Sequence, residues 1–318
     1  MNSNIIAVTG AAGLIGSAIA RRLDDLGRRV IAFDCPGAKD YVPNSQIPIN
    51  KLDICDENLH KILTDEKVEV IVHAAAHPGG KSFKEPVEDV RVNALGSMQI
   101  IDWAAKNNCR LIYLSSSIVY GHHESERLSE ELQLCPGTIY GAAKVACENW
   151  IKIIGAGYPE FNWTILRVFA TYGAGHKSSL DQGIVNIMLT QLINGDEVVV
   201  KGSLSRVRDL IYVEDLVSAI IKILESGHAN KKIINIGTGY GISIKDLIFK
   251  IAKLLKKSMD SINIIEHSST LGDPASNVAD TAFLNKTIDF HPKYTVDEGL
   301  LDLITKLNIE NNVSGLKK

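Results

Sequence analysis

The chain has 318 residues, 45% of them hydrophobic and 22% charged, with a formal net charge of −3. That length allows a sizeable core in one or two lobes, the balance is that of an ordinary water-soluble globular protein, and nothing in the charge points to a nucleic acid or an anionic membrane as partner. No apolar run approaches the roughly 20 residues of a membrane span, the N-terminus enters a strand too early for a signal peptide, and Cys35, Cys55, Cys109, Cys135 and Cys147, which form no C-x-x-C pair, read as free thiols of a reducing cytoplasm rather than as a metal site.

The first predicted strand is Ile5-Ile6-Ala7-Val8, a short apolar run with β-branched residues. It enters Thr9-Gly10-Ala11-Ala12-Gly13-Leu14-Ile15-Gly16, after which apolar and small residues keep helical spacing to Leu26, with Gly27 as the stop. A second strand, Arg29 to Phe33, ends at Asp34. Strand, glycine turn, helix, strand and terminal acid make a dinucleotide-binding βαβ unit. Gly10 permits the tight turn. Gly13 lets backbone N–H groups of the Gly13-Leu14-Ile15 stretch approach a pyrophosphate at the positive helix N-terminus, and Gly16 lets the helix lie close on the strand. The spacing is G-x-x-G-x-x-G. Asp34 suits the ribose hydroxyls of NAD and repels a 2′-phosphate, and Cys35 and Pro36 follow it instead of an arginine, so the cofactor expected is NAD.

Further on, Glu69 to His73 and Arg110 to Leu114 read as short buried strands with a helix from about Val87 to Lys106 between them. Tyr140 to Ile154 forms the next helix, and Phe161 to Val168 a later strand. Alternating β and α signals imply a parallel sheet covered on both faces. Past Tyr172 the pattern loosens and glycine turns are frequent, which suggests a smaller lobe over the C-terminal ends of the strands, where such sheets bind ligands. The expected class is α/β, a doubly wound Rossmann-type parallel sheet with a smaller C-terminal α/β substrate lobe. The division is placed at residues 1–170 and 171–318, with 210–224 a candidate to return to the first lobe.

Tyr140 and Lys144, in Tyr140-Gly141-Ala142-Ala143-Lys144, lie one helical turn apart on one face. A free tyrosine titrates near pH ~10 and is a poor base; an ammonium beside the ring favours the phenolate and is expected to lower that value. A serine hydroxyl from Ser115, Ser116 or Ser117 could hold the oxygen of a sugar or alcohol next to it.

Together these motifs resemble the extended short-chain dehydrogenase/reductase family, in its NAD-dependent epimerase/dehydratase branch, and the resemblance runs from Ile5 to about Leu303. Asp53-Ile54 resembles the step near the adenine, and His73-Ala74-Ala75-Ala76 the stretch ending the fourth strand beside the cofactor. The segments Gly80 to Pro86, with Ser82, and Val92 to Ser97, with Asn93, resemble those around the next helix. In Tyr113 to Gly121 the catalytic Ser or Thr of the family lies four before the tyrosine of Val-Tyr-Gly, which points to Ser116. Arg208 to Asp215, Asn235 to Gly239 and Gly272-Asp273-Pro274 resemble later signatures. The resemblance implies catalytic Ser116, Tyr140 and Lys144. It implies cofactor contacts at Gly10, Gly13, Leu14, Ile15, Gly16, Asp34, Asp53, Ile54, Ala74, Ala75, Asn93, Tyr140 and Lys144, and substrate contacts at Ser82, Ser117, Arg206 and Arg208.

The residues after Ser116 sort the reactions. Family 4,6-dehydratases carry Asp-Glu there, decarboxylases an acid two before the tyrosine, and one group of epimerase-reductases a cysteine at the Ile118 position. Ser117 and Ile118 transfer no protons, and His176 reads as a surface-loop histidine. Oxidation and reduction at one carbon remains, which favours a nucleotide-sugar 4-epimerase acting through a transient ketone, with a nucleotide-sugar dehydrogenase or ketoreductase as the alternative. Two departures bear on the substrate. Ala170 stands where many relatives have an asparagine that touches the nucleotide diphosphate, and Ser269, Thr270 and Leu271 stand where they often place an arginine. Arg206 and Arg208 could bind a pyrophosphate by charge-assisted hydrogen bonds. Relatives pair the two helices near Val87 to Lys106 and Tyr140 to Ile154 across a dimer, so a homodimer is expected here. A non-catalytic NAD-binding sensor also fits the fold, but such proteins usually lack the tyrosine and lysine.

Overall fold

The computed structural model describes residues 4–174 and 183–315, with side chains described as far as residue 307. Seven parallel strands form the large sheet: β1 (Ile6–Thr9), β2 (Val30–Asp34), β3 (Ile49–Lys51), β4 (Val70–His73), β5 (Arg110–Ser116) and β6 (Trp163–Val168), with a seventh, Lys232–Ile236, that comes much later in the chain. From one edge the order is the seventh strand, then β6-β5-β4-β1-β2-β3. The order reverses between β1 and β4, and a crevice at such a switch point is where doubly wound sheets bind ligands.

Side chains one apart in these strands face opposite ways, so each short strand feeds two cores. Ala7, Phe33, Ile71, Leu111, Tyr113 and Ile165 pack on α2 (Asn58–Asp65), α4 (Ser97–Lys106) and α5 (Ile139–Gly157). Ile6, Val8, Val72, Ile112, Leu114 and Leu166 face the other core, with α1 (Leu14–Asp25). The helix expected from about Val87 to Lys106 is interrupted. A short α3 (Pro86–Asp89) leads into a π-helical stretch, Val90–Gly96, before α4; such stretches often mark functional sites.

Outside the large sheet, the chain after β6 forms β7 (Ala170–Tyr172), α6 (Ile184–Asn194), β8 (Glu197–Lys201), β9 (Val207–Tyr212), β11 (Gly241–Ser243), α8 (Ile244–Leu254), β12 (Asn263–His267), β13 (Ser276–Asn277) and α10 (Val296–Gly315). Strand β9 pairs with β7, β11 and β13, and β8 with β12. Between β9 and β11 the chain runs through α7 (Val213–Glu225) and the seventh strand of the large sheet, β10 (Lys232–Ile236). Helix α7 packs on α1. Its C-terminal carbonyls, Ile223 and Leu224, accept from the Arg110 guanidinium. Strand β10 lies parallel to β6. Parallel neighbours need a crossover helix, and α7 is that helix. The return at 210–224 therefore needs an extension: β10, assigned from sequence to the substrate lobe, lies in the large sheet. We propose that the nucleotide lobe comprises residues up to about Val168 together with α7 and β10. No described helix is long and apolar enough to cross a membrane.

Candidate active site

The glycine turn is built by close approach. Gly10 has φ +71°, and a Cβ there would sit 2.7 Å from the Ala75 nitrogen. At Gly16 a Cβ would lie 2.1 Å from the Gly10 carbonyl oxygen. Gly13 is the N-cap of α1 and offers no side chain to its first-turn N–H groups. The Gly13 N–H donates to the Gly10 carbonyl at 3.0 Å, while Leu14, Ile15 and Gly16 of the first turn of α1 line the cleft, an arrangement suited to a diphosphate. Asp34, at the end of β2, accepts from the N–H groups of Ala12 (2.7 Å) and Cys35 (2.8 Å). A carboxylate has about four lone-pair sites, so it keeps capacity for ribose hydroxyls. This cradle, which a Cβ would fill, fits NAD.

Around it, Asp53 accepts from Arg91 (2.7 Å) and from the Cys55 N–H (2.8 Å). The Arg91 guanidinium holds the Asp53 carboxyl below the usual carboxylate range. Ile54 is buried beneath Gly96. The β4 end is fixed by a buried chain in which Thr9 Oγ1 meets His73 Nδ1 at 2.7 Å, His73 Nε2 meets Ser97 Oγ at 3.0 Å, and the Ala75 N–H donates to Thr9 Oγ1 at 3.2 Å. Ala74 lines the cleft. Asn93 is fully buried, and both ends of its amide are engaged by the His77 backbone (2.8 and 3.0 Å). Its visible work is to shape the loop walling the cleft.

Of the three serines, Ser115 donates to Glu148 Oε1 at 2.6 Å and is committed there. Ser117 is buried. Ser116 ends β5, caps the 3-10 turn Ser117–Tyr120 and lines the cleft. Helix α5 starts where it does because Thr138 Oγ1 accepts the Gly141 N–H (3.0 Å). The Tyr140 N–H donates to Ser82 Oγ, also at 3.0 Å. Ser82 is fully buried, so its hydroxyl anchors the helix that carries Tyr140. Tyr140 and Lys144 project from the first turns of α5 into one cleft with Ser116, the glycine turn and Arg208, about 620 Å3 in volume. Lys144 Nζ donates to the Leu114 carbonyl at 2.8 Å and lies 5.6 Å from the Tyr140 ring centroid.

One expectation is corrected by this geometry. In the free protein the tyrosine's proton affinity is raised, not lowered. Burial, reinforced by Asp89, pushes Tyr140 up to about 12, against a smaller downward pull from the Ser116 hydroxyl. Burial also lowers Lys144 to about 8. Desolvation penalises both charged forms.

Arg208 lines the cleft and Arg206 the cavity beside it, but both are already paired: each donates to Asp273, Arg208 at 2.6 Å. Asp273 was legible only as part of a signature, because its partners lie over sixty residues away. A second cavity, about 910 Å3, adjoins the cleft through Gly80, Ile184 and Asp273 and has Ile187, Met188 and Val199 in its wall. Sequence reasoning also missed the buried ion pair Arg167–Glu148 (2.7 Å), which ties β6 to α5 behind the cleft. His176 lies outside the described residues.

A switch-point cleft holding a glycine turn, a terminal acid and a Tyr-Lys pair defines an NAD-dependent enzyme of the Rossmann type. The profile of the NAD dependent epimerase/dehydratase family matches residues 6–237, and the chain belongs to that family. A putative UDP-glucose 4-epimerase of Methanocaldococcus jannaschii is 30% identical over 76% of this chain and 80% of its own. Among solved structures, UDP-glucose 4-epimerase of Thermotoga maritima with UDP-glucose is similar at 26% identity and TM-score 0.89, covering 96% of this chain and 99% of that one. The complex of Thermus thermophilus UDP-glucose 4-epimerase with NAD is similar at 25% identity and TM-score 0.87, over 96% and 99% of the two chains.

Proposed function

We propose that the protein is a nucleotide-sugar 4-epimerase that works through a transient ketone. The observation that carries this reading is the convergence of Ser116, Tyr140 and Lys144 on one cleft beside the glycine turn, with Ser117 and Ile118 next in the chain and no proton-transferring group at either. The UDP-glucose 4-epimerases similar over nearly all of the chain support the substrate class.

In this reading Gly10 to Gly16 hold the NAD pyrophosphate, Asp34 the adenosine ribose, Asp53, Ile54, Ala74, Ala75 and Asn93 shape the adenine and nicotinamide walls, and Lys144 holds the nicotinamide ribose. NAD, when bound there, would supply the acceptor and donor of the hydride exchanged with the sugar carbon. Ser116 holds the reacting oxygen by a hydrogen bond. Tyr140, as phenolate, takes the hydroxyl proton as the carbon is oxidised, and gives it back as the carbon is reduced. Net epimerisation follows when the ketone turns over before the return. Arg206 and Arg208 then grip the diphosphate, a role that requires it to compete with Asp273. Ser117 borders the sugar, and Ser82 acts through Tyr140.

The test is incubation with a panel of UDP-, GDP-, CDP- and dTDP-sugars. An epimerase gives a product of equal mass without accumulation of NADH. Net NADH formation would make it a dehydrogenase, and loss of water would remove the argument from Ser117 and Ile118.

We also propose a cytoplasmic homodimer. The free cysteines suit a reducing compartment. Val87, Val90, Leu95 and Ile153 are more than half exposed along α3, the π-helical stretch and α5, elements that pack on one another, and a cluster of exposed apolar side chains supports an interaction surface. Leu95→Glu should shift the protein to monomer in sedimentation velocity; a wild type that already sediments as monomer removes the proposal.

A further inference from the structure

The Asp53 carboxylate stands one strand further from the glycine turn than Asp34. Strands β2 and β3 run parallel with Asp34 beside Lys51, and Asp53 follows just past the C-terminal end of β3. With the pyrophosphate at the end of β1 and the ribose at the end of β2, the base of a dinucleotide falls next, at the end of β3. Asp53 Oδ1 accepts the Cys55 N–H and Oδ2 accepts Arg91 Nη2, so each oxygen keeps a lone pair. An ionised carboxylate only accepts, and the 6-amino group is the donor that adenine offers it.

Arg91, in the π-helical stretch, is oriented before it reaches Asp53. Its Nε and Nη2 donate to the two oxygens of Glu88 at 2.8 and 2.7 Å, a fork that fixes the guanidinium plane. The same Nη2 donates to Asp53 Oδ2 at 2.7 Å. The backbone of Arg91 holds the step a second time, because its carbonyl accepts from the Cys55 thiol at 3.2 Å. Ile54, between them, lies so close to Gly96 that a Cβ there would come within 2.7 Å of its side chain. Without the guanidinium, the Asp53 side chain keeps one orienting bond among the described residues, from the Cys55 N–H. The Arg91, Asp53 and Glu88 side chains are 37%, 29% and 43% exposed, and ion pairs so open to water add little to stability. What the arrangement fixes is the direction of the carboxylate.

We propose that Arg91 is a positioning residue for the cofactor: its Glu88-anchored guanidinium turns the Asp53 carboxylate toward the 6-amino group of adenine and so sets the preference of the site for an adenine dinucleotide. The inference rests on the reading of Asp34 and Asp53 as the adenosine end of the NAD site, and on nothing about the sugar. Asp53 makes the contact with the base, and Arg91 acts through it.

The test compares NAD with nicotinamide purine dinucleotide, identical but for hydrogen in place of the 6-amino group, by equilibrium titration of wild type and Arg91→Met. The wild type should bind NAD about tenfold or more tighter than the analogue, the scale of a hydrogen bond to a charged group. Arg91→Met should lose most of that preference, with NAD weakened by about tenfold and the analogue by less than about twofold. An equal weakening of both dinucleotides, or of neither, makes the Glu88–Arg91–Asp53 chain a structural brace and overturns the proposal while the NAD site stands. A wild type that does not distinguish the two overturns it together with the placing of Asp53 at the base. Arg91→Lys keeps a cation without the anchored fork and serves should Arg91→Met not fold. Its preference for NAD should fall by about threefold or more, and an undiminished preference overturns the proposal. No sugar enters these titrations, so a failure of the epimerase reading is recognised separately, in the substrate panel.

Discussion

Tyr140 shows how little a motif says about its own chemistry. Residue spacing puts Lys144 on the same helical face, but the distance to the ring, 5.6 Å, and the loss of water around both decide the proton affinities. The result is a tyrosine raised to about 12 and a lysine lowered to about 8. Removing the phenol hydroxyl tests its role. Tyr140→Phe should lower kcat by about 100- to 10,000-fold, the range of a positioned acid–base group, while NAD still binds, as measured by equilibrium titration. Turnover within a few-fold of wild type would sink the assignment of Tyr140 as the base.

Among the elements, the β1–α1 turn tolerates little change. Its sequence is half small residues because three backbones meet there: the Gly10 carbonyl, the Ala75 nitrogen and the start of α1. Gly16→Val puts a side chain where 2.1 Å separates a Cβ from a carbonyl oxygen. The helix must move, at a cost of about 1–3 kcal/mol, and the N–H groups of Leu14 to Gly16 lose their common aim. The expected outcome is a lower thermal midpoint together with NAD binding too weak to saturate. Full NAD affinity in a destabilised variant would mean the turn is structural only. The helix at Val87 to Lys106 teaches a different lesson. Its apolar spacing is visible, but the π-helical stretch Val90–Gly96 is not. That stretch contains Asn93, whose amide is drawn to the His77 backbone from another element.

Taken whole, the molecule carries a pH-sensitive anchor under the cleft. His73 joins Thr9 of β1 to Ser97 at the start of α4. Burial lowers its pKa to about 3 from an ordinary 6.5. The unfolded chain therefore takes up a proton first as the pH falls, so stability present above about 6.5 is lost progressively down to about 3. Between about pH 7 and about pH 5 this one group should remove about 2 kcal/mol, by order of magnitude. Urea midpoints measured at both pH values for wild type and His73→Gln read the effect: the variant should lose the acid-dependent part. An equal loss in both proteins would assign the acid sensitivity to other groups.

The sequence by itself determined the alternation of strands and helices, the glycine turn, the acid after β2 and the Tyr-x-x-x-Lys pair. Each is a local pattern in which side-chain period and backbone freedom decide the outcome within a few residues. It also separated Ser116 from its neighbours through the resemblance of the Val-Tyr-Gly stretch. Only the tertiary structure decided that Ser115 is committed to Glu148, that Asp273 holds both arginines, that β10 rejoins the large sheet through α7 and that Arg91 joins Asp53 to Glu88. Those facts depend on contacts between residues far apart in the chain, and on how much water each ionisable group loses when they meet. Neither quantity is written in residue spacing.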